Sequence, residues 1–352
     1  MADVVETQLL VLGGGPGGYA AAFLAADHGF RVTLVEARER PGGTCLYVGC
    51  IPSKALLHAA KLITDVRDAE RIGVSYGAPK IDINAVRGHW QKVVDTLTKN
   101  LAGLAKGRKV DFVHGLGKFI DDHTIEVEGG KRYRFEKCII ATGSVPAKPP
   151  AFNLPTPRIM DSTGALKLED VPERLLVVGG GYIGLEMGYV YAALGSKVTV
   201  VEMTDGLLPG ADRDLVKPLE ERLRKLFAEI LLSTKVAKVA EIPGGIRATF
   251  ETPDGKQVER DFERVLVAVG RRPNSRDIGL DKAGVAVDER GFVKVDAQRK
   301  TNVPHIFAIG DIAGEPMLAH KATYEGKIVV EVLAGEPSVY DARAVPAVVF
   351  TP

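Results

Sequence analysis

Residues 9–36 read LLVLGGGPGGYAAAFLAADHGFRVTLVE, and residues 175–202 read LLVVGGGYIGLEMGYVYAALGSKVTVVE. Each stretch is an apolar run, a G-x-G-x-x-G turn (Gly13, Gly15, Gly18; Gly179, Gly181, Gly184), a helical segment, and a second apolar run ending in glutamate. The spacing repeats to the residue: Glu36 and Glu202 each lie 23 positions beyond the first glycine of their turn (36 − 13 and 202 − 179). A single glycine-rich turn is weak evidence, but a turn with its strand, its helix and its acid is what a dinucleotide requires. The first glycine permits the tight turn, the second lets backbone approach a pyrophosphate, and the third lets helix and strand pack closely. The helix N-terminus then offers unpaired N–H groups to the phosphates. Two copies predict an α/β protein with two doubly wound parallel sheets, binding two dinucleotides rather than one. A carboxylate closing the second strand accepts hydrogen bonds from the ribose hydroxyls and repels a 2'-phosphate. Glu202 is followed by MTDG, with no lysine or arginine, so the second site is expected to prefer NAD to NADP.

At 352 residues the chain is too long for one ordinary core and is expected to hold two domains and the start of a third. With 45% hydrophobic and 26% charged residues it reads as a soluble globular protein. A net charge of +1 provides no broad attraction to nucleic acid or to a membrane surface, and neither is expected as a partner. The opening MADVVETQ lacks a charged-then-apolar signal pattern, and no apolar stretch reaches the ~18 residues needed to cross a bilayer. The expected location is the cytoplasm, or the mitochondrial matrix in a eukaryote.

Two of the three cysteines, Cys45 and Cys50, lie five apart in GGTCLYVGCIPSK, residues 42–54. In a regular helix such Cα atoms are about 8.6 Å apart, whereas a disulfide wants about 4.4–6.8 Å. The segment between them is therefore expected to be a compact irregular turn, which Gly49 suits. A disulfide here closes a small ring and contributes little stability, so a redox role is the better account. Pro52 and Ser53 read as the first turn of a helix, whose N-terminus favours thiolate at Cys50. A metal site is the rival reading, but this spacing without a second Cys or His pair nearby is a poor zinc signature, and no metal ligands are assigned. Cys138, in KCIIATG, reads as a buried strand cysteine.

Periodicity predicts helices over 51–70 and 84–106, the latter with an apolar stripe of Val86, Trp90, Val93, Leu97, Leu101 and Leu104 that reads as core or subunit packing. Residues 110–142 read as a meander of short strands. VPAKPPAFNLPTP, residues 145–157, is the clearest linker, with five prolines. RVLVAVGRRPN (264–274) closes the second unit, and HIFAIGDIAG (305–314) reads as a strand returning to the first sheet. The expected organisation is a first domain over 1–150, a second inserted over 151–275, a return to the first over 276–340, and the beginning of a further domain over 341–352.

The motifs GGGPGG, GGTCLYVGCIPSKALLH, ATGS, GGGYIGLEMG, VAVGRRPN and FAIGDIAGEPMLAHKATYEG fall in the order found in the pyridine nucleotide-disulfide oxidoreductases, which the chain resembles over essentially its whole length. Leu46 and the IPSKALL that follows Cys50 resemble the dihydrolipoamide dehydrogenase branch of that family. The resemblance implies two Rossmann-like FAD/NAD(P)-binding domains and a C-terminal α+β dimerisation domain that this sequence lacks. It implies that Glu36 binds the adenosine ribose of FAD, the 13–18 turn its pyrophosphate, and Asp311 the ribityl chain. Thr44, Gly117, Thr142, Gly143, Ser144 and Ala319 are implied as further FAD contacts, and the segment from Met317 to His320 as the one facing the flavin pyrimidine edge. Gly179, Gly181, Ile183, Gly184, Glu202, Val236, Gly270 and Arg271 are implied for NAD, and Lys54 paired with Glu186 beside the flavin. In the implied reaction a dihydrolipoyl thiolate attacks Cys45, Cys50 resolves the mixed disulfide, and the electron pair passes through FAD to NAD+. The implied partners are the lipoyl domains of 2-oxo acid dehydrogenase complexes, and a second copy in a full-length homodimer, with a monomer expected for this stretch alone.

The sequence departs from the family in two places. Tyr47 stands where the family has asparagine, and no H-P-T-x-x-E segment supplies the family's histidine base. Without that base, lipoamide turnover by this polypeptide is expected to be severely impaired, while NADH oxidation by an artificial acceptor survives. Another NAD(P)H-dependent disulfide reductase, separable by NADH against NADPH, and a non-catalytic FAD/NAD-binding fragment, separable by its spectrum and mass, stay open at this point.

Overall fold

The first glycine-rich stretch folds as strand, turn, helix and strand in the computed structural model, which describes residues 4–351: β1 (Val4–Leu12), α1 (Pro16–Asp27) and β2 (Val32–Glu36). α2 (Gly43–Val48) follows, then β3 (Asp111–His114), β4 (Gly117–Phe119), β5 (Thr124–Val127), β6 (Arg132–Ile140) and β7 (Ser144–Pro146). Strands β3, β2, β1 and β6 lie side by side, all parallel. The far edge of β6 is shared: Arg132 to Arg134 pair antiparallel with β5, and Cys138 to Ile140 pair parallel with β17 (Ile306–Ala308). Residue 306 thus rejoins the sheet that residue 140 left. Leu10 and Leu12 point into one core with Val35, Phe119, Phe135 and Ile140. Leu9 and Val11 point into another, with Leu34, Ala21 and Ala22, and with Val329 and Val330 of α8 (Ala319–Leu333). A parallel sheet covered on both faces explains why β2 is buried at every residue. α1 and α8 approach closely because glycines meet there: a Cβ on Gly326 would lie 2.9 Å from the Gly17 carbonyl oxygen.

The second glycine-rich stretch repeats the pattern. Its sheet runs β11 (Glu229–Leu231), β10 (Lys197–Val201), β9 (Arg174–Val178), β15 (Arg264–Val267), β8 (Ile159–Met160), every pair parallel. The antiparallel strands β12 (Lys235–Ile242), β13 (Gly245–Glu251) and β14 (Gln257–Phe262) cover one face, where Leu176, Val178 and Val201 meet Val239, Ile246 and Phe250. The opposite face takes α3 (Cys50–Ala69), α5 (Ser162–Leu166), α6 (Tyr182–Leu194) and α7 (Arg213–Leu226). β16 (Arg271–Pro273) closes this stretch.

The chain divides into two compact units, one of residues 1–47, 94–145 and 272–347, the other of 48–93, 146–271 and 348–352. Residues 48–93 therefore differ from the expected first domain over 1–150. Packing decides this: Leu56, Leu57 and Ala60 of α3 share a core with Leu185, Tyr189 and Tyr191 of α6, the Thr64 and Tyr189 hydroxyls hydrogen-bond at 2.7 Å, and Arg67 donates to the Ala193 carbonyl at 3.1 Å. Three local expectations also shift. The segment between the cysteines is helical in α2 and interrupted only at Gly49, rather than an irregular turn. β3 is a parallel strand of the main sheet, not part of a meander. In α4 (Ile83–Gly107) the fully buried positions are Val94, Thr98 and Ala105; of the expected stripe, Val86, Trp90 and Leu101 pack against the apolar cores, whereas Leu104 is exposed.

Candidate active site

In the first unit, Gly13 has φ of +107°, and a Cβ there would lie 2.4 Å from the Ala141 carbonyl oxygen. A Cβ on Gly18 would lie 1.8 Å from the Gly13 oxygen, so α1 can start only where it does if residue 18 has no side chain. Gly15 caps α1 with no side-chain hydrogen bond, leaving the first-turn N–H groups for a ligand. Glu36 is buried; its Oε2 accepts the Gly14 N–H at 2.7 Å and its Oε1 the Arg38 N–H at 3.0 Å. Each oxygen keeps lone-pair capacity, which fits a pair of ribose hydroxyls. Gly43 is pressed on Gly15, where its Cβ would lie 2.4 Å from the Cα, and this brings Thr44 at the start of α2 up to the turn.

The other implied FAD residues sort by place. Thr142 donates to the Asn274 carbonyl at 3.0 Å, and the Asn274 side-chain amide returns a hydrogen bond to the Thr142 carbonyl at 3.0 Å. Gly143, at φ +70°, accepts the Asn274 N–H at 2.9 Å. Ser144 donates to Asp311 Oδ2. Met317 and Ala319 flank Leu318, which caps α8 without a side-chain bond. Gly117 opens β4, where a Cβ would meet Leu12, Ile125 and Val35. Gly115, just past β3, donates its N–H to the carbonyl of Glu36 at the end of β2, at 2.8 Å. These donors and acceptors, with an uncapped helix start between them, fit FAD.

The second unit repeats the turn at atomic level. Gly179 has φ of +108°, with a Cβ position 2.5 Å from the Ala268 oxygen, and a Cβ on Gly184 would lie 2.2 Å from the Gly179 oxygen. Glu202 Oε2 accepts the Gly180 N–H at 2.7 Å, and Oε1 accepts the Thr204 N–H at 2.9 Å. Gly181 caps α6 without a side-chain bond, Ile183 is half-buried one residue before Gly184, Val236 is buried in β12, and Gly270 has φ of +118° just before Arg271. The sequence did not expose Thr204, whose hydroxyl lies 3.0 Å from Glu202 Oε1, or Arg213. The Arg213 guanidinium donates to the carbonyls of Leu207, Leu208 and Ala211, so the nearest following cation is committed to the loop rather than to a 2'-phosphate. This fits NAD.

The redox stretch places Cys45, half-buried, in α2 and Cys50, exposed, as the first residue of α3, with Gly49 as its cap. Helix start and cysteine thus coincide, two residues earlier than Pro52 suggested (52 − 50). One turn further on, Lys54 Nζ donates to both carboxylate oxygens of Glu186, at 2.7 and 2.9 Å. Glu186 lies on α6, is 4% exposed at its side chain, and also accepts the Phe350 N–H at 3.2 Å. Tyr47 is held within the first unit: its hydroxyl donates to the Arg40 carbonyl at 3.2 Å and the Arg38 guanidinium lies 4.8 Å over its ring. Burial, and then the charge of Cys45, push the Tyr19 phenol above its ordinary value, which places Tyr19 within electrostatic reach of that sulfur. Cys138 is fully buried and its thiol is pushed up by desolvation, as befits an inert strand residue. Among the described residues, Asp122, His123 and His305 form one group of metal-ligating type. The two imidazoles stack at 3.9 Å and 4°, so their in-plane lone pairs run parallel instead of converging on an ion.

Two glycine-turn nucleotide sites and a cysteine pair whose second member opens a helix define a nucleotide-dependent disulfide oxidoreductase. Residues 7–326 match the family described as pyridine nucleotide-disulphide oxidoreductase, and the chain belongs to it. The dihydrolipoyl dehydrogenase of Vibrio cholerae is 48% identical, over 100% of this chain and 74% of the relative. That of Geobacillus stearothermophilus is 44% identical, over 99% and 74%. Among solved structures, the HOCl-induced flavoprotein disulfide reductase RclA from Escherichia coli matches with a TM-score of 0.86 and 30% identity, over 98% of this chain and 75% of that one. The chain spans about three quarters of the length of these relatives.

Proposed function

We propose that this chain carries the redox pair and cofactor sites of a dihydrolipoyl dehydrogenase, for NAD+-linked oxidation of protein-bound dihydrolipoyl groups through Cys45 and Cys50 with FAD, its own dihydrolipoamide turnover being low because its sequence holds no H-P-T-x-x-E histidine base. The observation that carries the reading is Cys50 at the first position of α3 with Lys54 one turn later, ion-paired to the buried Glu186. The family membership and the 48% identity to dihydrolipoyl dehydrogenases support it over other disulfide reductases. Residues 1–150 and 276–340 are assigned to FAD, and 151–275 to NAD. The lipoyl domains of 2-oxo acid dehydrogenase complexes are the proposed partners, and the cytoplasm the proposed location. No helix of the described residues is long and apolar enough to cross a membrane.

The thiol chemistry belongs to the chain's own residues. A dihydrolipoyl thiolate attacks Sγ of Cys45 in the Cys45–Cys50 disulfide and displaces Cys50 as a thiolate. The second dihydrolipoyl sulfur then displaces Cys45, so the lipoyl ring disulfide forms and the protein holds the two electrons as a dithiol. The helix start at Cys50 stabilises the thiolate that leaves. Lys54, held by Glu186, supplies a fixed positive charge one turn behind it. FAD, when bound, supplies the two-electron relay from this dithiol to NAD+. Glu36 and the 13–18 turn hold its adenosine diphosphate portion, and Glu202 with the 179–184 turn holds NAD.

The test is a pair of assays on the FAD-loaded protein. The slow NAD+ reduction by dihydrolipoamide shown by the parent is lost in Cys45→Ser and in Cys50→Ser, whereas NADH oxidation by ferricyanide is retained in all three. Dihydrolipoamide-linked turnover that persists in either serine variant rules the proposal out.

A further inference from the structure

The first unit contains a cluster of buried charge that neither glycine-rich turn explains. Glu325 on α8 is fully buried, and its Oε2 accepts the Gly310 N–H at 2.6 Å. Its Oε1 lies 3.1 Å from Lys321 Nζ and 3.4 Å from a terminal nitrogen of Arg299. Lys321, one turn earlier on the same helix, is 4% exposed and donates to the carbonyls of Gly310 and Gly314, at 3.3 and 3.0 Å. Arg299 sits at φ +62°, in the left-handed region, and its guanidinium lies 4.0 Å over the Tyr340 ring.

Such a cluster is a poor way to gain stability, since removing three charges from water offsets most of their mutual attraction, and apolar side chains of the same volume would serve as well. What apolar side chains cannot do is fix backbone polar groups in direction. Here Gly310 is held by both its N–H and its carbonyl, and Gly314 by its carbonyl, so both ends of the single 3₁₀ turn Gly310–Ala313 are tied to α8. Gly310 needs φ of +75°, and a Cβ there would lie 3.0 Å from the Ala322 side chain, which leaves the turn little freedom. Asp311 is the carboxylate of that turn, and Ser144 donates to it from the other side.

We propose that Lys321 and Glu325, braced by Arg299, are positioning residues that aim the Asp311 carboxylate at the ribityl hydroxyls of FAD. The proposal rests on the reading of Asp311 as the ribityl contact. It separates two parts of one ligand: the ADP half is held by Glu36 and the 13–18 turn, the ribityl half by the turn that the cluster fixes. Losing the cluster therefore weakens FAD and spares ADP.

The experiment measures FAD and ADP affinity of the deflavinated full chain, by flavin fluorescence quenching and by ADP competition. Asp311→Asn alone checks the underlying reading: unchanged FAD affinity there removes the ribityl contact itself. Given a loss in that variant, Lys321→Met is expected to weaken FAD roughly tenfold, the scale of one charge-assisted hydrogen bond, with ADP affinity changed less than twofold. Lys321→Arg restores most of the affinity, and the double variant Lys321→Met/Asp311→Asn binds FAD no more weakly than Asp311→Asn. Equal losses for FAD and ADP, or additive losses in the double variant, overturn the proposal in favour of a merely structural cluster. Should Lys321→Met fail to fold, Arg299→Gln, at the cluster's more exposed edge, carries the same comparison.

Discussion

The glycine at the third position of each turn gives the sharpest handle on the two nucleotide sites. In Gly184→Ala, the new Cβ falls 2.2 Å from the Gly179 carbonyl oxygen, against an ordinary contact of at least about 3.2 Å. The start of α6 must move away from the turn by about 1 Å, and overpacking of this kind costs about 1–3 kcal/mol. If that cost falls on the arrangement that receives the pyrophosphate, NADH affinity drops roughly 5- to 150-fold. NADH titration of the FAD-loaded variant, read by fluorescence quenching, is the assay, with flavin content as the internal control. The matched Gly18→Ala, whose Cβ falls 1.8 Å from the Gly13 oxygen, should do the reverse and lose flavin. The reasoning is refuted if Gly184→Ala binds NADH as the parent does, or if it loses flavin while NADH binding holds.

Three further outcomes follow from the same geometry. Glu202→Ala removes the acceptor at the end of β10 and should weaken NADH by roughly tenfold while narrowing the preference over NADPH; equal losses for both cofactors count against the ribose role. Glu186→Ala leaves Lys54 without its carboxylate, but Lys54 is 34% exposed, so denaturant unfolding should show less than the roughly 3–5 kcal/mol expected of a fully buried pair. Cys138 holds its proton more tightly folded than unfolded, so its contribution to stability is complete below the ordinary thiol value of 9.0 and declines as pH rises above it. Its alkylation at pH 9 should accordingly require unfolding, and rapid labelling of Cys138 in the folded protein would contradict its burial.

Much of this was readable from residues alone, and the reasons are local. The repeated turns declare themselves because their first and third glycines answer to backbone approaches below 3 Å, which no other residue tolerates, and because Glu36 and Glu202 close the adjacent strands. Helices 50–69 and 83–107 showed in their apolar periodicity. What periodicity could not carry was partnership. The membership of α3 in the second unit depends on Leu56, Leu57 and Tyr189 meeting across more than a hundred residues of chain, which no window spans. Thr204, Arg213 and Asn274 escaped notice because each acts through a backbone carbonyl or a neighbouring acid, and spacing carries no sign of such bonds. The helical state of residues 43–48 was missed because two glycines and a cysteine read as a turn, whereas Gly43 and Gly49 bound a short helix.

The central claim is that Cys45 and Cys50 exchange electron pairs with a nicotinamide nucleotide through FAD. Mass spectrometry after alkylation tests it most directly: the oxidised, FAD-loaded protein is incubated anaerobically with NADH, trapped with iodoacetamide, and digested. The account predicts that Cys45 and Cys50 pass from a disulfide-linked peptide to two carbamidomethylated thiols, with Cys138 unlabelled in both states. A Cys45–Cys50 peptide that stays disulfide-linked while NADH is consumed, or the same conversion after FAD is removed, contradicts it.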